Sequence, residues 1–135
     1  MNTMQFQTQF VSLIGDRKTN QDYSTCETGK DCACFIVADG LGGHDQGEIA
    51  AKLFCDHFIK QFRSSKLQKR FDKQELEALF ELALKKMQAQ IFKDYPDINS
   101  HTTCAIVIIN KHNWATLHIG DSRVYHITSD GNISR

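Results

Sequence analysis

No run in this 135-residue chain approaches the ~20 consecutive apolar residues that a bilayer-spanning helix requires. That argues against a membrane role. An excess of charge of one sign is also missing: Lys+Arg and Asp+Glu each number 16, for a formal net charge of zero. Such a balance gives no reason to expect nucleic acid or an anionic membrane as partner. The one local basic excess is Lys66, Lys69, Arg70 and Lys73 against Asp72, which reads as a solvated segment between two helices. The stretch Met1–Gln7 has neither a charged n-region nor a continuous apolar h-region, so no secretory leader is expected. Internal repeats and low-complexity segments are absent, and proline occurs once, at Pro96. What is present is ordinary for a globular domain: 41% hydrophobic and 24% charged residues, in a chain long enough to bury a real core.

The five cysteines, at positions 26, 32, 34, 55 and 104, are odd in number. Cys34, Cys55 and Cys104 fall inside apolar or helical patterns, where cysteine behaves as a small core residue, and a reducing cytoplasm fits best. Cys32-Ala33-Cys34 with His44 ten residues on could suggest zinc, but the spacing matches no common zinc pattern.

Along the chain, residues 4–14 alternate loosely and read as a first strand. Gly15–Asp22 is a polar loop that Tyr23–Gly29 continues. Cys32–Ala38 is a buried strand. From about Gln46 to Arg63, Ala50, Leu53, Phe54, Phe58 and Phe62 make one helical face. A second helix is expected over Lys73–Asp94, with the stripe Leu76, Leu79, Phe80, Ala83, Leu84, Met87 and Ile91 suited to docking on a sheet. Asp72 is its expected N-cap, with Glu75 three residues on, and Pro96 ends it. Strands then follow: Thr102–Ile109, Trp114–Ile119 and Arg123–Thr128, with Asp130-Gly131 as a hairpin turn into Asn132–Arg135. A hairpin whose return strand has barely begun leaves an open edge, so the chain is expected to be the N-terminal portion of a longer domain.

The residues with the most chemistry lie at strand ends. The apolar run Cys34–Ala38 delivers Asp39 to its tip, and Gly40-Leu41-Gly42-Gly43-His44 follows. Glycines there let the backbone turn sharply and come close to whatever the carboxylate holds. Taken alone, Asp-Gly is also a common turn former. Asp22 and Asp121 stand at comparable ends. Carboxylates that converge without as many cations call for a metal ion, and oxygen donors suit a hard one. Arg17, five residues before Asp22, could pair with these carboxylates or fork a phosphate.

Four blocks carry a resemblance: Arg17-x-x-Asn20-Gln21-Asp22; Val37-Ala38-Asp39-Gly40-Leu41-Gly42-Gly43-His44-x-x-Gly47-Glu48-x-Ala50; Thr102-Thr103; and His118-Ile119-Gly120-Asp121-Ser122-Arg123-Val124-Tyr125. In order and spacing they resemble the bacterial form of the metal-dependent protein phosphatases of type 2C, over essentially residues 10–135. The resemblance implies an α+β fold, an antiparallel β-sandwich flanked by helices, incomplete at the C-terminus, with residues 1–135 as the N-terminal portion of a single phosphatase domain. It implies Mn²⁺ or Mg²⁺, two ions with a third held more weakly, and a water activated by metal that attacks phosphoserine or phosphothreonine in line. Asp39 would bridge both metals and Gly40 would offer its carbonyl. Asp22 would hold metal-bound water, Asp121 would serve the third ion, and Arg17 would bind the substrate phosphate. A phosphoprotein is the implied partner, in a signalling setting with a bacterial Ser/Thr kinase or its targets.

The sequence also departs from the family. Gln21 stands where the family usually has Glu, which implies somewhat lower metal affinity. Leu41 occupies the position of a histidine general acid in some members, and His44 is expected to stabilise the loop instead. Ser122 and Arg123 are expected to be structural. The two late aspartates that complete the first metal site would lie beyond Arg135. The competing reading is therefore a truncated or inactive phosphatase-like module that acts by binding. Nucleotide binding through Gly40–Gly47 is disfavoured, because the loop lacks a Gly-Lys-Ser/Thr ending and its Asp precedes the glycines.

Overall fold

The computed structural model describes residues 4–43, 46–70 and 72–135. Its elements run β1 (Asp22–Thr28), β2 (Cys32–Gly42), α1 (Gly47–Arg63), α2 (Lys73–Asp94), β3 (Ser100–Thr102), β4 (Cys104–Asn110), β5 (Trp114–Ile119), β6 (His126–Ile127) and β7 (Ile133–Ser134). One antiparallel sheet has the order β1-β2-β4-β5, with β3 continuing alongside the far end of β2. The strands β6 and β7 form a separate two-stranded ribbon. The α+β class and the antiparallel sheet flanked by helices are as expected. Among the described residues the strands make this one large sheet and the ribbon.

β2 is central because it alternates cleanly. Cys34, Ile36 and Ala38 are buried toward the helices, while Val37 and Asp39 point to the open face. Cys104, Ile106 and Ile108 of β4 repeat the pattern, and Phe54, Phe58 and Phe62 of α1 close over them. Leu79, Ala83 and Met87 of α2 complete the same core, with Phe80 at 5.3 Å from Phe54 between ring centroids. Burial pushes the Cys55 thiol up to about 12 and the Cys104 thiol up to about 11, as expected for cysteines used as core residues. Among the described residues no helix is long and apolar enough to cross a membrane.

Both helices begin and end where the sequence places them, to within a residue at Gly47. Asp72 caps α2: its carboxylate accepts from the N–H groups of Gln74 (2.9 Å) and Glu75 (3.4 Å). Asp72→Ala is accordingly expected to cost about 1 kcal/mol of stability, read as a lower urea midpoint with an unchanged slope.

Several boundaries differ from expectation. Residues 4–14 form no strand, because no partner supplies a ladder of hydrogen bonds; Phe6 instead lies edge-on against Phe35, 6.1 Å between centroids. Tyr23–Gly29 is not a continued loop. Its polar residues hid a strand whose register with β2 runs from Asp22↔Asp39 to Thr28↔Ala33. The strand expected over Thr102–Ile109 is interrupted at Thr103. That expected over Arg123–Thr128 shrinks to His126–Ile127, since its only partner is the two-residue β7. The Asp130-Gly131 turn does form: Gly131 has φ +86°, and the Thr128 N–H donates to the Asn132 carbonyl at 2.9 Å. The loop role expected of His44 lies outside the described residues.

Candidate metal and phosphate site

The pairing registers align the candidate residues in one row across the sheet. Asp22 of β1 sits directly opposite Asp39 of β2. The pairs Val37↔Ala105 and Gly40↔Thr102 put Asp39 opposite Thr103, and Cys104↔Ile119 puts Thr103 opposite Gly120. Asp121 is the next residue. Directly opposed residues on one face have Cβ atoms only about 5 Å apart, so two carboxylates are forced together by register alone.

A cleft of about 750 Å³ opens over this row, and Arg17, Asp22, Asp39, Gly40 and Asp121 all line it. The structure thus brings together all five residues singled out in the sequence. Arg17 arrives on the loop before β1, which turns at Gly15 (φ +59°) and is closed by the Arg17 N–H donating to the Ile14 carbonyl at 3.3 Å. Among the described residues its guanidinium is in no ion pair.

Electrostatics report the crowding. Partial burial, then the charge of Asp22 and a hydrogen bond with it, then the charge of Asp121, hold the Asp39 carboxyl above its ordinary range. The charge of Arg17 pulls it back down. An unneutralised carboxylate set of this kind is what a divalent cation would relieve. The donors fit a hard ion in kind: three carboxylates and a strand-end backbone, all oxygen. They do not close a cage by themselves, for among the described residues no three His, Cys, Asp or Glu side chains are grouped tightly enough to hold a metal ion.

The backbone beneath the row is tightly fitted. The Gly40 N–H donates to the Gln21 carbonyl at 3.1 Å, and Gly40 lies directly against Gly47 at the start of α1. Gln21, the departure from the usual Glu, has its side-chain oxygen packed close to Gly47.

Two residues contribute more than the sequence indicated. Asn20 accepts the Asp22 N–H on Oδ1 (3.0 Å) and donates to Ser12 Oγ (2.8 Å), so it fixes where β1 begins. An Asn two residues before a carboxylate is the sequence signal for such a turn. Thr103 had only its place in the Thr102-Thr103 block to mark it. Ser122 bonds Thr103 through its hydroxyl (2.5 Å), and Arg123 reaches the Tyr125 hydroxyl (3.4 Å).

Comparison with known proteins agrees with this geometry. Residues 11–135 match the family described as protein phosphatase 2C, and the chain belongs to that family. It is 30% identical over 122 residues to a candidate protein phosphatase of Mycoplasma pneumoniae, an alignment covering 84% of this chain and 47% of that protein. The crystal structure of the Mycobacterium tuberculosis serine/threonine phosphatase PstP/Ppp has the same fold, with a TM-score of 0.70 at 24% identity, covering 91% of this chain and 48% of that one. The PstP catalytic domain in complex with two manganese ions matches with a TM-score of 0.64 at 26% identity, covering 87% and 48%. The chain therefore spans about half the length of the relatives it matches.

Proposed function

We propose that this chain carries the phosphate-binding and part of the metal-binding machinery of a metal-dependent protein serine/threonine phosphatase, acting on phosphoserine or phosphothreonine proteins. The observation that carries the reading is one cleft in which Arg17 faces a row of three carboxylates, Asp22, Asp39 and Asp121. Asp39, with the Gly40 carbonyl beside it, would hold the divalent ions, Mn²⁺ or Mg²⁺. Asp22 would orient water toward them, and Asp121 would take a third, weaker ion. Divalent ions bound there would supply charge neutralisation and a lowered pKa for water. Arg17 forks the phosphate oxygens by paired N–H donation and holds the phosphorus in line for attack. The proton of the attacking water would pass to the carboxylate row. The proposed setting is the cytoplasm, with the targets of a bacterial Ser/Thr kinase as substrates.

The test is Mn²⁺-dependent hydrolysis of a phosphothreonine peptide, with two variants. Asp39→Asn is expected to lower turnover by roughly 10²-fold or more. Arg17→Ala is expected to raise KM about tenfold without weakening metal binding. Hydrolysis indifferent to Asp39→Asn overturns the assignment. A second reading, a binding module without turnover, draws support from the carboxylates not closing a metal cage among the described residues. Phosphopeptide binding that needs Arg17 but shows no metal-dependent turnover would establish that one instead.

A further inference from the structure

Thr103 is the one uncharged side chain in the row, and its hydroxyl meets both the end of β2 and the turn after β5. It accepts from the Asp39 N–H (3.3 Å), approaches the Asp39 carbonyl (3.4 Å) and bonds Ser122 Oγ (2.5 Å). The Thr103 backbone N–H donates to the Asp39 carbonyl as well, at 2.9 Å. On the other side, Gly120 has φ +87°, and a Cβ there would lie 2.6 Å from the Thr103 methyl carbon. The methyl therefore fills the space that glycine leaves open. Hydroxyl and methyl are each used.

We infer that Thr103 is a positioning residue: with Ser122 it clasps the strand end bearing Asp39 to the turn bearing Asp121, and so sets the gap between these two carboxylates. Asp121 follows a glycine with positive φ and belongs to no ladder, so β5 alone does not fix it. The Thr103–Ser122 bond is the side-chain hydrogen bond, among the described residues, that ties this turn to the row. Threonine suits the place because it alone combines a hydroxyl and a methyl on one stiff Cβ. This inference rests on the reading of the cleft as a metal site, and its effect is on metal affinity, not on contact with substrate.

Three variants separate positioning from simple stability. Thr103→Val keeps the shape and removes the hydroxyl. Ser122→Ala keeps the bonds from Thr103 to Asp39 and opens only the clasp. Thr103→Ser keeps the hydroxyl and loses the methyl. Mn²⁺ affinity is measured by titration calorimetry on the metal-free chain, and amide hydrogen exchange is followed at residues 120–123. Thr103→Val and Ser122→Ala are each expected to weaken Mn²⁺ binding about 5- to 10-fold and to speed exchange at residues 120–123 by about tenfold. The double variant should be no worse than Thr103→Val alone, because that substitution already removes the bond to Ser122. Thr103→Ser should stay within about twofold of wild type in affinity. Wild-type Mn²⁺ binding that Thr103→Val leaves unchanged, even with a lower Tm, overturns the inference alone. No Mn²⁺ binding by the wild type overturns the metal reading and this inference together.

Discussion

Gly40→Ala is expected to destabilise the chain by at least ~3 kcal/mol, while Gly43→Ala, three residues on, should change stability by less than ~0.5 kcal/mol. The contrast comes from what a methyl group would meet. At Gly40 it would run into the Gly47 carbonyl and lie 2.6 Å from the Gln21 carbonyl oxygen, all of it backbone. No side-chain rotamer can relieve that clash. Either α1 lifts from the sheet, which uncovers Phe54 and Phe58, or β2 separates from the loop before β1. At Gly43 a methyl group meets nothing within 4 Å. Urea unfolding of the two variants and wild type checks the claim, provided the slopes agree. A Gly40→Ala midpoint close to wild type would mean that the Gly40–Gly47 approach is not needed, and that the position is glycine for another reason.

The same approach explains which parts of the fold could be seen in the sequence. The two helices could, because each buries a stripe with a period near 3.6, and the Asp72 cap is local chemistry. β2 and β5 could, because a half-buried strand alternates or runs apolar. β1 could not: Ser24, Glu27 and the other polar residues carry no hydrophobic signal, and it is a strand only because β2 pairs with it along its whole length. The reverse error, a strand over residues 4–14, arose from an alternation that finds no partner. At the site, Arg17, Asp22, Asp39, Gly40 and Asp121 were legible from motif and position at element ends. Their arrangement was not, since it depends on register. That Asp22 faces Asp39, and that Thr103 stands between Asp39 and Gly120, follows only from pairings between segments up to 64 residues apart. Thr103 is the clearest case: a threonine in a β-branched run gives no local sign that its hydroxyl serves a neighbouring strand.

Asp39→Asn should reverse its effect on stability when Mn²⁺ is added. Without metal, the substitution is expected to raise Tm by roughly 1–3 °C, a small gain because the pair is partly solvated. The sign follows from the carboxyl being held above its ordinary value by burial and by Asp22. A carboxylate whose folded pKa is raised destabilises the fold increasingly as pH climbs above its unfolded value near ~4 and through its folded value. Removing its charge therefore helps at pH 7, and the benefit fades as pH falls well below ~4, where folded and unfolded carboxyl are both neutral. With Mn²⁺ at a hundred times its dissociation constant, wild type should gain about 2.7 kcal/mol from binding, and Asp39→Asn almost none. The variant is then the more stable protein without metal and the less stable one with it. A carboxylate that merely held the strand end in place would lower Tm when removed and leave the Mn²⁺ shift intact. Parallel melting curves at pH 7 with and without Mn²⁺ decide between these outcomes, and they do so whether or not the 135-residue chain turns over substrate.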